Sequence, residues 1–368
     1  RLLARAAITI SVAGDHDTAA AMIDEALQIA EHRADDTLRA LALYASGLHH
    51  WAWCRSSAAV SALETSVELF KRTEMPWDLA NAATFLSFAF LTCCRLDESA
   101  AVADEYTPQA RQIGNHNTVA LLGWTKATVN MCQGADLDAW ERAMHAGLEI
   151  TIGPARSYFL AGLAYGEFWR GNCEDALQHF DDETDFPGIL GGGIYGRTLV
   201  QAYLGDRDAA AEMIRANRDH VARAGQPNGW RSWTFTGIAI ESFYLLRQYD
   251  EAAALRPLVE DAIRTGVEWR NAGFPLLTRP VAAMAASAAG DWDAAETHYT
   301  AAIQLAEQLP DTIEQANIRR FYTQMLLDRD GPGDRDRARE LAEDAVERYE
   351  RIGMARHAAL TSALLERA

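Results

Sequence analysis

Apolar and polar residues alternate along this chain with the period of an α-helix, in segments that come in pairs. A mostly apolar segment is followed by a more amphipathic one, such as "DTAAAMIDEALQIAEH" from Asp17. A short polar turn separates the two, and related turns begin "GDHD" at 14, "GNCED" at 171, "GDRD" at 205 and "GDWD" at 290. Gly suits the end of one helix and Asp or Asn caps the next, so the pattern predicts helical hairpins.

The turns recur at a nearly fixed interval. Their first residues are Gly14, Cys54, Cys94, Gly134, Gly171, Gly205, Arg247, Gly290 and Gly333. The spacings fall between 34 and 43 residues, a period that is typical of stacked helical repeats. The sequence therefore predicts an all-α solenoid of about nine helix-turn-helix repeats over residues 1–368.

Small residues occupy a constant position five residues after each turn. They are Ala19, Ala59, Ser99, Ala139, Ala176, Ala210, Ala252, Ala295 and Ala338. Small residues also predominate seven before and, less regularly, twelve after the turn, which predicts close helix crossings at these points. The alternative is a plain helical bundle in which the alanines coincide by chance.

A G-D-x-x-x-A turn with these small-residue positions resembles the tetratricopeptide repeat (TPR). The resemblance covers nearly the whole chain and implies a right-handed α-α superhelix. The longer period is similar to the MalT-like sensor domains of bacterial regulators, which are linked to an ATPase module, and to repeats in ATPase-linked nucleotide cyclases. The chain starts at Arg1 and not at Met, so we expect it to be a fragment of a longer protein, and five cysteines without C-x-x-C spacing favour a cytoplasmic location. The resemblance implies an ATPase, cyclase or DNA-binding module elsewhere in that parent chain.

In a TPR superhelix the first helix of each pair lines a concave groove. Positions 13, 10, 6, 3 and 2 before each turn should face inward, and the middle repeats carry large aromatic residues there. The candidate ligand-binding residues are Tyr44, Trp51, Phe88, Trp124, Tyr158, Tyr165, Phe168, Tyr195, Glu241 and Tyr244. Tyr and Trp offer a large contact area with a polar tip, which favours a binding surface. The alternative is that these rings pack between neighbouring repeats.

The stretch 181–197, "DDETDFPGILGGGIYGR", interrupts the repeat with Pro187 and several glycines. We expect a hinge there that divides the solenoid into 1–180 and 198–368. The backbone amides of this stretch could instead bind an anion. Four arginines near the starts of groove helices could hold a carboxylate or phosphate group, or could cap neighbouring carbonyls; they are Arg156, Arg197, Arg231 and Arg279.

Composition and the absence of known motifs argue against several classes of function. The net charge of −18 disfavours direct nucleic-acid binding, and no apolar run is long enough to span a membrane. No phosphate-binding loop, kinase signature or metal-ligand pair occurs, and His49 and His50 are adjacent, so they point about 100° apart on a helix. We therefore expect no cofactor, no metal and no catalysis.

The predicted function is sensing, in which the groove binds a peptide, a small ligand or a segment of a partner protein. Two alternatives remain at this stage. One is a constitutive protein–protein scaffold, and the other is an enzyme that uses Glu241 or Glu167 as an acid or base. The end faces of a helical array could also pair, which makes a homodimer possible.

Overall fold

The computed structural model describes residues 1–184, 192–271 and 275–368, and these residues form helical hairpins almost throughout. We call the first helix of each pair the A helix and the second the B helix. The A helices are α1 (Leu2–Ala13), α3 (Asp36–Ala52), α5 (Pro76–Thr92), α7 (His116–Gly134), α9 (Arg156–Arg170), α11 (Gly192–Leu204), α13 (Trp230–Leu245), α16 (Arg279–Ala288), α18 (Thr312–Arg329) and α20 (Ala355–Leu365). The B helices are α2 (His16–Arg33), α4 (Ser56–Arg72), α6 (Leu96–Gln112), α8 (Leu137–Ile150), α10 (Cys173–Thr184), α12 (Arg207–Ala216), the pair α14 (Tyr249–Ala254) and α15 (Arg256–Arg264), α17 (Trp292–Gln308) and α19 (Asp334–Arg351).

Two short 3-10 helices, at Gly153–Ala155 and Arg218–His220, and one β-hairpin complete the described elements. The strands β1 (Trp269–Asn271) and β2 (Pro275–Leu277) pair antiparallel, with Trp269 opposite Leu277. The sequence analysis did not predict these strands. They form an insertion between α15 and α16, and the prediction of an all-α helical-repeat solenoid is confirmed.

The hairpin turns adopt the left-handed backbone conformation that the Gly-rich pattern predicts. Gly14, Gly171, Gly205 and Gly290 have φ values between 74° and 97°. Three of the predicted turn residues that carry a side chain adopt the same conformation, namely Cys54, Cys94 and Arg247. An aspartate or asparagine then caps several of the following helices, as Asp291 does by accepting from the Ala294 amide.

The small residues that follow the turns lie at closed helix crossings. Eight of the nine have no exposed surface, and the exception is Ala139. In the third hairpin the two helices are close enough for Ser87 Oγ to donate to the Ser99 carbonyl at 3.0 Å, while Ser99 Oγ donates to the Ser87 carbonyl at 2.8 Å. The alternative of a bundle with coincidental alanines does not account for this recurrent geometry.

In the fourth hairpin the left-handed turn residue lies one position later than the repeat pattern predicts. Gly134 is still helical, and Ala135 takes the left-handed conformation with φ 50°. Trp140 therefore occupies the crossing in place of Ala139. The facing helix α9 makes room with glycine, since a Cβ at Gly162 would overlap the Met144 sulfur and lie 3.1 Å from the Trp140 ring. Trp140 Nε1 donates to the Gly162 carbonyl at 2.6 Å.

The solenoid makes two superhelical turns that contact each other. Hairpins one to five form the first turn, and the rest of the chain forms the second. The C-terminal ends of α3, α5, α7 and α9 face the segments that precede α13, α16, α18 and α20, and we call this contact the seam. Each contact joins a hairpin to the fifth one after it, so one superhelical turn takes about five hairpins.

The seam joins helix C-termini to helix N-termini. A Cβ at Gly229 would lie 3.1 Å from the Ala52 carbonyl, so glycine allows this close approach. Thr312 Oγ1 donates to the Gln133 carbonyl at 3.1 Å. This arrangement aligns helix dipoles head to tail, which is favourable. One hydrophobic cluster consequently extends from Ala4 to Ala358. The predicted hinge at 181–197 lies partly at 185–191, outside the described residues, and stays a prediction.

Candidate functional site

The ten residues predicted to line the groove all lie in the interior of the structure. None of them exposes more than 9% of its surface. The contact between the two superhelical turns explains this burial, because the start of α13 packs against the inner face of the first turn. The ring centroids of Trp230 and Trp51 lie 6.1 Å apart. A ligand can therefore reach these side chains only if the concave face opens. Their role in binding stays a prediction.

Five of the ten residues form a connected group, which we call the aromatic strip: Tyr44, Trp51, Phe88, Trp124 and Tyr158. They come from α3, α5, α7 and α9, and adjacent rings lie 5.2–5.8 Å apart from Trp51 through Phe88 and Trp124 to Tyr158. Tyr44 joins through Phe85, whose ring lies 6.0 Å from it. The register that the sequence predicts thus brings inner-face aromatic residues of four hairpins together.

The other predicted residues contact different neighbours. The rings of Tyr165 and Phe180 lie 5.5 Å apart within the fifth hairpin, so this contact is inside one repeat and not between neighbouring repeats. Phe168 contacts Tyr203 and, across the seam, His357. Tyr195 lies 5.0 Å from Phe235, and Tyr244 lies 5.5 Å from Tyr249. Phe168, Tyr195 and Tyr244 thus belong to the core of the second turn and its contact with α9, while Tyr165 belongs to the core of the fifth hairpin.

Glu241 belongs to a buried polar group that sequence analysis only partly identified. The Tyr203 hydroxyl donates to Glu241 Oε1 at 3.1 Å, and burial raises the pKa of Tyr203. The Arg320 guanidinium lies 5.0 Å from the Tyr203 ring and is itself buried. Arg320 stands 13 residues before the ninth turn, the position that Tyr158 occupies in the fifth hairpin, so the repeat register indicates an inward position for Arg320 but not its contact with Tyr203.

The two carboxylates considered for catalysis differ in their surroundings. Glu167 is partly exposed, accepts from Asn172 Nδ2 at 2.6 Å and lies 3.8 Å from Arg170. Glu241 is held by the Tyr203 phenol inside the core. Neither lines the two large clefts described below. The geometry around Glu167 is that of a surface ion pair, and the geometry around Glu241 is that of a structural hydrogen bond.

The four candidate arginines have structural partners or ring contacts. Arg156 Nη1 donates to the Leu148 and Thr151 carbonyls at 2.8 and 3.2 Å, so it caps α8 as the alternative predicts. Arg279 forms a two-point ion pair with Glu268. Arg197 pairs with Asp181, and Arg231 lies 5.7 Å from the Trp230 ring.

His49, the first of the two adjacent histidines, occupies a structural position. His49 Nδ1 lies 2.9 Å from Ser11 Oγ. Burial, with the nearby His16, lowers the pKa of His49 to about 4, so it is neutral at pH 7. Within the described parts of the chain, no group of three His, Cys, Asp or Glu side chains has the geometry of a metal site. Nor does any described helix have the length and apolar character needed to cross a membrane.

Two clefts open along the seam. One, of about 730 Å³, lies between the first turns of α4, the end of α5 and the segment before α16; its lining includes Cys54, Cys94, Glu268 and Arg279. The other, of about 400 Å³, lies between the ends of α1 and α3 and the loop before α13; its lining includes Trp53, Asn228 and Trp230. Their volumes are in the range of small-molecule sites, and they mark where the two superhelical turns pack least closely.

These features define the class of the protein: it is an all-α solenoid of TPR-like helical hairpins. Neither a family model nor a curated protein matches the sequence. Among solved structures the chain is similar to one titled "Crystal Structure of P58(IPK) TPR Domain at 2.5 A", at 14% identity and a TM-score of 0.27, over 98% of this chain and 97% of that chain. A likeness at that score does not establish shared curvature, and the class rests on the hairpins and crossings described above.

Proposed function

We propose that this chain is a non-catalytic, MalT-like sensor domain of a larger bacterial regulator. Its concave face binds a peptide, a small ligand or a segment of a partner protein. An ATPase, cyclase or DNA-binding module of the same parent chain supplies the output. TPR-like arrays as a class present extended concave surfaces for binding, which supports the general part of this proposal.

The observation that carries the proposal is the covered aromatic strip. Aromatic residues on the inner faces of four successive A helices form one connected surface. The second superhelical turn covers that surface through a seam that includes two clefts. A ligand that binds the strip must separate the two turns, so binding changes the curvature of the solenoid. A change of curvature can be transmitted to a neighbouring module.

Hydrogen exchange of the purified chain tests the proposal. The probes are the dialysable and the non-dialysable fractions of a bacterial cell extract. We expect the dialysable fraction to change exchange in α3, α5, α7 and α9 and at the seam segments. Protection by the non-dialysable fraction alone supports a constitutive scaffold, and no change with either fraction contradicts binding at the concave face.

A seam variant sharpens this test. Gly229→Val places a side chain against the Ala52 carbonyl and should force the seam apart, which raises exchange in α3 and the start of α13. Gly123→Val is the matched control, because a Cβ at Gly123 meets no atom within 4 Å. If the strip binds the ligand, the Gly229 variant should respond at a lower concentration of the active fraction than the control. An equal response from both variants contradicts the requirement for opening.

A further inference from the structure

The smaller of the two seam clefts has walls with a distinctive chemistry. It has a volume of about 400 Å³ and lies between the ends of α1 and α3 and the loop before α13. Its lining includes the indole rings of Trp53 and Trp230 and the guanidinium groups of Arg223 and Arg231, and we call it the indole cleft. Six of the ten tryptophans are buried, whereas these two keep part of their surface exposed. A partly exposed indole at a cleft offers a ring face on which a ligand can stack.

Residues outside the cleft hold each indole in place. The His16 ring packs edge-on against Trp53 at 4.8 Å, and the Trp51 ring lies 6.1 Å from the Trp230 ring. Trp53 also lies beside the backbone of Gly229, where a Cβ would be 3.9 Å from the Trp53 ring. Both indoles are therefore positioned before a ligand arrives, which reduces the entropic cost of binding.

The loop that forms another wall of the cleft is fixed by its own hydrogen bonds. Asn228 Oδ1 accepts from the Arg223 amide at 2.8 Å, and Asn228 Nδ2 donates to the Arg223 and Gln226 carbonyls at 2.9 and 3.0 Å. The Ala222 amide donates to Thr236 Oγ1 of α13 at 2.9 Å. These bonds hold the backbone of Arg223 at the cleft, while its side chain stays exposed.

The charges of the cleft favour an anion, although the chain as a whole carries −18. Two arginines and one aspartate, Asp219, line it. Arg223 Nη2 lies 3.4 Å from Asp219 Oδ1, and the two side chains are 67% and 88% exposed. Such an exposed pair is weak, so a ligand anion can replace Asp219 beside Arg223. Arg231 is less exposed, and burial lowers its pKa, so a negative charge beside it would stabilise the guanidinium.

We propose that the indole cleft binds a small molecule that combines a planar aromatic ring with a carboxylate or phosphate group. The ring stacks against Trp53 and Trp230, and the anionic group pairs with Arg223 and Arg231. The cleft volume of about 400 Å³ is sufficient for one such molecule. This goes beyond the proposed function, because the cleft lies outside the aromatic strip and its own residues define the class of ligand.

Isothermal titration calorimetry of the purified chain tests the proposal with two probes, indole-3-acetate and adenosine 5′-monophosphate. We expect at least one of them to bind with a Kd below about 1 mM. Indole and adenosine supply only the ring, and acetate and inorganic phosphate supply only the anion, so each should bind about ten-fold more weakly or worse. The tighter of the two probes identifies the anionic group as a carboxylate or a phosphate. If neither probe binds below about 1 mM, the proposal is overturned.

Two matched pairs of variants locate the binding. Trp53→Leu should weaken the tighter probe by about five-fold or more, while Trp292→Leu, at a partly exposed tryptophan outside the cleft lining, should leave its Kd unchanged. Arg223→Gln should weaken it by about three-fold or more, while Arg218→Gln removes the same charge outside the lining and should have no effect. Equal effects within a pair overturn the proposal. Circular dichroism verifies folding, and the pair at exposed arginines decides the question if Trp53→Leu does not fold.

The outcome is independent of the proposed function. The exchange experiment with extract fractions reports on the helices that carry the aromatic strip, while calorimetry with defined probes and cleft variants reports on the indole cleft. Failure of the probes leaves the proposed function intact, and failure of the extract experiment leaves the cleft proposal intact.

Discussion

The fourth hairpin (α7 and α8) and the eighth (α16 and α17) bring their helices into contact through different residues. In the eighth, Gly290 takes the left-handed turn and Ala295 fills the crossing with no exposed surface. In the fourth, Ala135 takes the turn and Trp140 fills the crossing, while Gly162 on the next A helix supplies the space. The comparison shows that the fold constrains the combined volume of the facing residues and not the size of each one.

The largest effect is expected at the unusual crossing. Trp140→Ala removes a ring that is buried among α7, α8 and α9 and leaves the Gly162 carbonyl without its donor. We expect the free energy of unfolding to fall by about 3–5 kcal/mol. Urea unfolding measures it. A loss below about 1 kcal/mol would mean that Trp140 does not fill the crossing.

The next prediction compares the stability effects of enlarging Ala295 and Ala139, which hold the same position after the turn in the two hairpins. Ala295→Leu adds volume at a closed crossing and should lower the free energy of unfolding by about 1–3 kcal/mol. Ala139→Leu should change it by less than about 0.5 kcal/mol, because the frame shift leaves Ala139 partly exposed. Thermal and urea unfolding of both variants measure the difference, and equal losses contradict the shift. Ala176→Leu repeats the test of the closed crossing in the fifth hairpin.

The pH dependence of stability should differ in sign between two helix-capping aspartates, Asp311 and Asp291. Asp311 caps α18 beneath the end of α7, and burial with the nearby Glu314 raises its pKa to about 8. Because the folded pKa exceeds the unfolded value, Asp311 lowers stability progressively from about pH 4 to about pH 8, by at most about 1.4 kcal/mol per pH unit. Asp311→Asn keeps a capping oxygen and should flatten that fall in urea unfolding at pH 5 to 8.

Asp291, the cap of the eighth hairpin, should behave with the opposite sign. Its pKa is lowered by the hydrogen bond from Arg256 and by the Ala294 amide. Its contribution is therefore present above the unfolded pKa and is lost as the pH falls through the lower folded value. If Asp291→Asn and Asp311→Asn change the pH profile in the same direction, the seam does not bury Asp311.

The smallest expected effect concerns the turn of the fourth hairpin. The sign of the change in unfolding free energy shows whether Gly134 or Ala135 is the left-handed turn residue. Gly134 is helical, and a Cβ there would meet no atom within 4 Å, so Gly134→Ala should stabilise the chain by about 0.5–1 kcal/mol. Gly290→Ala has equal space but a φ of 74°, so it should destabilise by about 1 kcal/mol. Urea unfolding of both variants measures the difference. A lower free energy of unfolding for Gly134→Ala would mean that Gly134 is the left-handed turn residue, as the repeat pattern predicts.

Most of the architecture could be predicted because it is encoded locally. The hairpins share a turn residue and a small residue five positions after the turn, and several add a capping carboxylate. These lie within about ten residues of each other, so each hairpin can be recognised from its local sequence. The shift at Ala135 was missed because Gly134 and Ala139 match the pattern equally well by sequence. Only the facing Gly162, which lies 22 residues after Trp140, shows that the tryptophan occupies the crossing.

The candidate site could be predicted only in part. The repeat register predicts inward positions for Trp51, Phe88, Trp124 and Tyr158, because such positions follow from helical periodicity, and the structure places their rings in contact. Their role in ligand binding stays a prediction. It did not indicate that Tyr165 packs within its own hairpin, or that Arg320 lies beside Tyr203. The first contact depends on side-chain packing inside one hairpin, and the second joins helices that are distant in the chain.

The sequence by itself therefore determined the helical hairpins and the small residues at their crossings, since each depends on interactions within one repeat or between neighbours. The tertiary structure alone decided the curvature, because small rotations between hairpins add up until the fifth hairpin meets the first of the series. That accumulated rotation closes the seam and buries the aromatic strip.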